Sequence, residues 1–338
     1  MRSNNLRMMC ALAALALLLR LGAGAAEAQG KKLVFATPGI PTIFAAVVVL
    51  VADGQGFFKK YGANVEVRPF DTGAAAARAV VAGDIDFALS PAVLVANQIA
   101  NANVDLVALW GMPNPDFVLA TTDAKRASCK DVVGQPVGVD SVGGQRSIML
   151  KQMLRACTLK IEDVQQISLG SNTAPAMIAG QLAFGVLHID DVSVIESQGK
   201  PVTIITTIKK ADPMAYNIVG VSRRDRVAQD RDGFVRLVAG LLAAARYIKD
   251  PKNADRVADL AAPTGRTKAE AKKAVADYVA NDEWPTDDDG LDRAKLDALI
   301  ADQVKSGGIQ PGRAPVTYER LVDQSVWRDD AALVAKTP

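Results

Sequence analysis

The sequence predicts an α/β protein made of two similar units followed by a long helical tail. Three observations point there. Apolar strand-like runs alternate with helix-forming segments between residues 32 and 110, the alternation restarts after Cys129, and from Asp225 onward the chain is almost wholly helix-forming. Such alternation builds a parallel sheet with helices on both faces. One cadence also occurs twice. "VAGDIDFAL" (81–89) and "IAGQLAFGVLH" (178–188) each read as a helix end, a glycine and a short strand. The second copy has Ala183 where the first has Asp86, and it ends on His188, the single histidine of the chain.

In the first unit, Lys32 to Thr37 ("KLVFAT") is an apolar run closed by a Pro-Gly turn, hence a buried strand. Thr42 is placed to cap a helix from Ile43 to about Asp53, which Gly54 and Gly56 break. Val65 to Phe70 reads as a strand and Gly73 to Val81 as an Ala-rich helix. Ile85 to Leu89 is a strand ending at Ser90-Pro91, where serine at N-cap and proline at N1 start the next helix. Leu106 to Trp110 is the following strand. Asp86, read as mid-strand, is expected to hold nearby backbone N–H groups in a structural role.

In the second unit, Pro136 to Val139 is a strand and Gly143-Gly144 opens a helix to about Ala156. Val164 to Leu169, Phe184 to Leu187 and Val202 to Thr207 are strands, with a helix over Thr173 to Ile178 and another capped by Asp190 or Asp191. Two further apolar runs, Phe117 to Thr122 and Asn217 to Ser222, flank this unit and read as paired crossings between lobes. In the tail, Thr267-Lys268-Ala269-Glu270 is a capping box and Leu291 to Val304 is amphipathic. A tail of this length most simply packs back on the first unit. The expected division is a leader at 1–28, a discontinuous first lobe of 29–119 and 220–338, and a second lobe of 120–219.

The leader is read from Arg2 and Arg7, the apolar run Met8 to Leu19, and the A-x-A site Ala26-Glu27-Ala28, with the mature chain starting at about Gln29. The run is too short to cross a bilayer as a helix, which needs about 20 residues. Cys10 precedes it and leaves with the leader, which argues against lipidation. The chain has 39 basic and 37 acidic residues, and the leader holds three of the former and one of the latter, so the remainder carries no net charge. That argues against nucleic-acid binding, which needs an electropositive face. Cys129 and Cys157 survive cleavage. In an oxidising compartment they are a candidate disulfide, and the alternative is two buried free thiols.

Three stretches carry a family resemblance: "GQGFFKKYGANVEV" (54–67), "AVVAGDIDFALS" (79–90) and "CKDVVGQPVGVDSVGGQRSIML" (129–150). In this order they resemble the G-x-F-x-K-x-G-x-x-V, A-x-x-x-G-x-x-D-x-A-x-S and L-x-G-K-x-V-G-V segments of type 2 periplasmic solute-binding proteins of ABC importers. The group is the nitrate/sulfonate/taurine/bicarbonate one, to which thiamine-pyrimidine-synthase-like proteins are related. Gln135 departs from the usual Lys, and Ala183 from the Asp frequent in the second lobe. The resemblance spans nearly all of the chain after the leader. It implies the type 2 periplasmic-binding-protein fold: two lobes with parallel-rich sheets flanked by helices, two hinge strands, a helical C-terminal tail on lobe 1, and ligand between the lobes.

In open parallel sheets, ligands bind beyond the carboxyl ends of strands, where helix starts offer unpaired N–H groups. This marks Thr37, Gly39, Thr42, Ser90, Pro91, Trp110, Ser141, Gly143, Gly144, Gln145 and His188 as ligand-binding candidates. The Ser141 to Gly144 turn is the sharpest, since two glycines let backbone N–H groups approach a ligand. An ordinary glycine-rich turn is the alternative. Ser90 is either a cap alone or a cap that also donates to ligand. Trp110 is either a stacking wall or a core aromatic. His188 is either a donor to a carboxylate or sulfonate, or a partner of Asp190 or Asp191 in a helix cap. Arg146 offers a full charge for an anion, but a first-turn Arg more often points to solvent.

No nucleophile elbow, P-loop or G-x-G-x-x-G stands after the leader, and one histidine cannot build a multi-His metal site. Asp287-Asp288-Asp289-Gly290 lacks calcium-loop spacing and reads as a solvated turn capping the next helix. The iron-dependent thiamine-pyrimidine synthases share the fold, but the cysteine- and histidine-rich site that likeness implies is missing. The expectation is therefore a non-enzymatic, monomeric, periplasmic binding protein without cofactor or metal. It delivers a small organic anion of sulfonate or carboxylate type to a membrane permease. Alternatives are a neutral or aromatic heterocycle such as a thiamine-type pyrimidine as ligand, or a sensor subunit presenting ligand to a receptor.

Overall fold

The computed structural model describes residues 31–336, and the leader read at 1–28 lies outside them. The chain first lays down β1 (Leu33–Pro38), α1 (Val47–Gly54), α2 (Phe57–Lys60), β2 (Val65–Phe70), α3 (Gly73–Ala82), β3 (Phe87–Pro91), α4 (Ala92–Asn101) and β4 (Leu106–Met112). It then builds β5 (Val118–Thr121), β6 (Pro136–Val139), α5 (Gln145–Ala156), β7 (Gln165–Ser168), α6 (Thr173–Ile178), β8 (Phe184–Leu187), α7 (Ile189–Ser197), β9 (Thr203–Thr207) and α8 (Ile208–Ala211). After β10 (Ile218–Arg223) come α9 (Arg224–Gln229), α10 (Arg231–Lys249), α11 (Ala254–Leu260), α12 (Lys268–Ala280), α13 (Arg293–Lys305), α14 (Tyr318–Leu321) and α15 (Ser325–Lys336).

Two five-stranded sheets share one plan, β2-β1-β3-β10-β4 and β7-β6-β8-β5-β9. In each, three strands run parallel and the fourth is antiparallel to both of its neighbours. The sheets are thus mixed. The two apolar runs read as paired crossings do not pair with each other: β5 enters the second sheet and β10 the first. Each arrives from the opposite unit against the local strand direction, so it is accommodated only as an antiparallel insertion.

The doubled cadence does the same job in both sheets. Gly83 at φ +85° ends α3 and leads into β3, and Gly180 at φ +72° leads from α6 toward β8. That left-handed conformation is one other residues adopt at a cost. Asp86 lies just before β3 rather than within it. Its Oδ2 accepts from Val34 N–H at 2.7 Å and its Oδ1 from Arg226 Nε at 2.6 Å, so the carboxylate ties β1, β3 and α9 together.

Two predicted helix starts move. The turn after β1 closes through Ile43 N–H to Pro38 O at 3.1 Å, which removes Thr42 from cap geometry. A short 3₁₀ turn at Phe44–Ala46 follows, and α1 begins only at Val47. Ser90 is not an N-cap either, because β3 stays in register with β10 through Pro91, pairing Ser90 with Val219. Pro91 takes the N-cap position of α4 instead. In the tail the Thr267 capping box forms as expected, with Glu270 accepting from Thr267 N–H at 2.9 Å.

The core under the first sheet joins strand aromatics to the tail. Phe35 meets Phe87 edge-on at 4.9 Å, Phe87 meets Phe234 of α10 at 6.1 Å, and Leu237 and Leu241 are fully buried beside them. Trp110 belongs to this same core and has no exposed surface, so it is no stacking wall. A β4 side chain facing this layer is covered on that face by tail helices.

Cys129, which opens a 3₁₀ turn, is bonded to Cys157 at the end of α5, with Cα atoms 5.9 Å apart. The bond closes a loop of 28 residues, for which constraint of the unfolded chain contributes about 3.6 kcal/mol. Urea unfolding with and without reductant should therefore differ by roughly that amount, and Cys129→Ser should behave like the reduced protein.

Candidate functional site

A cleft opens where the carboxyl ends of the two sheets face each other. Pro38, Gly39, Ile43, Asp71, Thr72, Gly73, Leu89, Pro91 and Ile218 line it from one side, and Phe117, Asp140, Gly144, Gln145, Arg146, Ser171 and His188 from the other. Its walls are largely apolar, and its polar groups are few and specific.

The start of α5 does not offer the free backbone donors that the two glycines suggested. Asp140, at the end of β6, caps it from within the chain. Its carboxylate accepts from Ser141 N–H at 2.8 Å, Gln145 N–H at 3.0 Å and Arg146 N–H at 3.2 Å. Gly143 N–H goes to Ser147 Oγ and Gly144 N–H to Ser141 O. A Cβ on Gly144 would sit 2.7 Å from both Asp140 oxygens, so the glycine is needed by the internal cap. An anionic ligand placed at this helix start would meet a carboxylate.

The cationic group that does face the cleft is the Arg146 side chain. It is 5% exposed, contrary to the expectation that it points to solvent. Its Nη2 donates to Asp191 Oδ2 at 3.0 Å, while its Nη1 is buried without a partner. Asp191 holds it inward, being shared with Arg266, whose Nη2 donates to Asp191 Oδ1 at 2.6 Å and whose Nε donates to Asp190 Oδ2 at 2.9 Å.

His188 is the N-cap of α7, and its backbone N–H donates to Asp191 Oδ2 at 3.1 Å. Its ring pairs elsewhere: Nδ1 lies 2.9 and 3.0 Å from the two oxygens of Asp116. Asp116 also accepts from Ile189 N–H at 3.2 Å and from the Tyr278 hydroxyl at 2.7 Å. That hydroxyl lies 3.0 Å from Asp190 Oδ1 as well. Its single proton serves one carboxylate at a time, and burial together with the adjacent Asp191 charge pushes the Asp190 carboxyl up.

Burial opposes charge on all of these groups, and the pairing decides the outcome. Burial works against the His188 imidazolium, but the charge and hydrogen bond of Asp116 outweigh it and hold His188 above its usual range. Burial also opposes ionisation of Asp116 and Asp191. The His188 charge, and for Asp191 the two arginines, nevertheless keep both carboxyls below their usual range.

A second buried branch starts at Gln145, whose Nε2 donates to Asn217 Oδ1 at 3.1 Å. Asn217 Nδ2 donates to Glu283 Oε1 at 2.7 Å, and burial pushes the Glu283 carboxyl well above the ordinary range. Asp116 and Asn217 lie in the two segments that join the sheets, one in each.

The sequence candidates distribute unevenly over this geometry. Gly39, Pro91, Gly144, Gln145 and His188 line the cleft. Thr42 is buried and lines a smaller recess shared with Arg146, His188 and Asp191. Ser141 and Gly143 line a groove with Arg78, Asn97 and Asn101. Thr37 and Ser90 are buried with unpartnered hydroxyls but are not among the residues lining the cleft, and Trp110 is in the core. Asp116, Asn217, Arg266, Tyr278 and Glu283 were missed. The one available signal was Arg146, directly after the glycine turn.

Because His188 is the only histidine, its ring signal is unambiguous in an NMR titration. It should titrate above the ordinary value of about 6.5, and Asp116→Asn should move it down. The imidazolium's contribution to stability is present below the unfolded-state pKa and lost as pH rises through the raised folded value. Asp116 contributes above the ordinary carboxylate range, and its share is lost as pH falls through its lowered value.

Several solved structures share this fold. The alkanesulfonate-binding protein SsuA from Xanthomonas axonopodis pv. citri, bound to MOPS, is 15% identical. The match covers 87% of this chain and 99% of that one with a TM-score of 0.70. The periplasmic aliphatic sulphonate binding protein SsuA from Escherichia coli is 18% identical over 88% and 99%, with a TM-score of 0.67. The periplasmic nitrate-binding protein NrtA from Synechocystis PCC 6803 is 12% identical over 92% and 91%, with a TM-score of 0.73. At these identities the likeness is one of fold. No curated protein sequence matches the chain significantly. The sequence model described as NMT1/THI5 like matches residues 44–254, and the chain belongs to that family.

Proposed function

We propose that the chain is the exported solute-binding component of an ABC importer and captures a small organic anion between two lobes. The observation that carries this reading is the buried Arg146 guanidinium in the cleft, with Nη1 lacking an acceptor. An unmade buried hydrogen bond costs about 1–3 kcal/mol, and a ligand oxygen would remove that cost. Ile43, Leu89, Phe117 and Ile218 supply apolar surface for an organic body, the usual division of labour in a ligand pocket.

Closure by hinge motion fits the two connecting segments and the contacts that span the cleft's flanks. Arg155 of α5 reaches Asp302 of α13 at 2.8 Å, an exposed pair worth about 0.2–1 kcal/mol, too weak to hold the lobes shut alone. Ligand bridging both walls would supply the difference between open and closed states. Delivery of the solute in this reading implies a membrane permease as partner, and no described helix is long and apolar enough to cross a membrane. A second reading, a neutral heterocycle, is favoured by charge count. Arg146, Arg266 and protonated His188 are balanced by Asp116, Asp190 and Asp191, so the cluster carries no surplus charge.

Thermal-shift screening of the protein lacking its leader against sulfonates, carboxylates, aromatic acids and pyrimidines tests both readings. A true ligand raises the melting temperature with its occupancy. Acids are expected to do so, and Arg146→Met should weaken the best acid on the order of a hundredfold. A response to pyrimidines alone would favour the second reading, and silence from every class would remove both.

A further inference from the structure

We propose that Gln145 is a specificity-determining residue. It selects a ligand that carries a hydrogen-bond donor beside its anionic acceptor, and Glu283, acting through Asn217, turns the Gln145 carbonyl toward that donor. The inference rests on the cleft being the ligand site.

Gln145 and Arg146 are adjacent, 8% and 5% exposed, and both line the cleft. Each has one atom without a partner: the Gln145 carbonyl oxygen Oε1, an acceptor, and Arg146 Nη1, a donor. Two neighbouring buried side chains therefore present opposite hydrogen-bonding needs. A head group that only accepts, such as a plain alkanesulfonate or nitrate, would satisfy Arg146 and leave Oε1 unpaired. A hydroxyl, amine or amide N–H next to the accepting group would satisfy both. Sites built to hydrogen-bond a substrate O–H or N–H reject analogues lacking it strongly.

An amide can present either end, so the question is what fixes this one. Asn281 Nδ2 donates to the backbone carbonyl of Asn114 at 3.0 Å, an acceptor only, which sets the orientation of Asn281 independently of the rest. The same NH₂ donates to Glu283 Oε2 at 3.1 Å. As a carboxylate, Glu283 accepts at its other oxygen too, and Asn217 must turn its NH₂ there. Asn217 then offers Oδ1 to Gln145, Gln145 uses its NH₂ on it, and the Gln145 carbonyl is left for the cleft. The polarity of the ligand contact is decided two residues away, at Glu283.

Glu283→Gln is therefore a reversing variant. Asn281 still donates to the oxygen of the new amide, so its NH₂ faces Asn217. Asn217 and Gln145 both turn over, and an NH₂ points into the cleft.

Calorimetry with a matched pair, a 2-hydroxy acid and the 2-oxo acid of the same skeleton, tests this on wild type, Glu283→Gln and Gln145→Met. Wild type should favour the hydroxy acid at least tenfold in alkaline buffer, the condition that favours ionised Glu283, whose carboxyl burial pushes up. Asp116, Lys295 and Tyr278 are the titratable groups that face Glu283, and His188 titrates nearby on Asp116. Comparison with Glu283→Gln at each pH isolates Glu283 from them. The wild-type preference should decline as pH falls. Glu283→Gln should lose the preference for the hydroxy acid at all pH values, since both a hydroxyl and a ketone oxygen accept from an NH₂, and Gln145→Met should bind both acids alike. Equal preference in wild type and Glu283→Gln, or no wild-type preference in alkaline buffer, overturns the proposal even if a variant fails to fold. If neither these acids nor any other organic acid binds, the function reading falls and this inference with it.

Discussion

The buried ion cluster around Asp116 is the constraint on which the rest of the site depends. Asp116 sits in one of the two segments joining the sheets and accepts from His188, Ile189 and Tyr278, groups from both sides of that joint. Three basic and three acidic side chains are largely removed from water here, and each alone would be costly. They are tolerable only together, because breaking one buried pair leaves an uncompensated charge worth about 3–5 kcal/mol. The arrangement therefore fixes where α7 starts, where Arg146 points and how the tail helix α12 lies against α7.

The two sheets have one plan, yet their cleft walls differ. The first contributes mostly apolar side chains and backbone, from Gly39, Ile43, Leu89, Pro91 and Ile218. The second contributes Arg146, Gln145, His188 and Asp140. The repeated helix–glycine–strand step delivers a strand end to the cleft in each half, but only the second delivers an ionisable group with it. The arginine and the histidine stand on one wall, and the other adds mostly apolar shape with Asp71 and Thr72.

A helix start pointing into a cleft is commonly an anion site, but here the first turn of α5 is closed by its own Asp140. That shifts recognition from backbone N–H groups, which any anion satisfies, to the side chains of Gln145 and Arg146, which have distinct polarity. Side-chain recognition needs outside support to hold an orientation, and Asp191, Asn217 and Glu283 give it.

Periodicity, turn residues and repeats are local signals, and what they govern was legible. The α/β alternation, the doubled helix–glycine–strand step, the helical tail and the Thr267 capping box could all be read from residues a few positions apart. The errors at Thr42 and Ser90 arose where pairing with a distant strand or a tight turn overrode a local cap preference. Candidates at strand ends such as Gly39, Pro91, Gly144, Gln145 and His188 followed from topology. Trp110 did not, because only packing decides which face of a strand meets helices. Asp116, Asn217, Tyr278 and Glu283 carry no local mark, and the last two come from a tail at least 90 residues after His188 in the chain. The sequence by itself determined the elements and their order, since those follow from short-range sterics and hydrophobic pattern. Tertiary structure alone decided which charges are buried together and which polar atoms remain for a ligand, because desolvation and pairing depend on groups that meet only when the chain is folded.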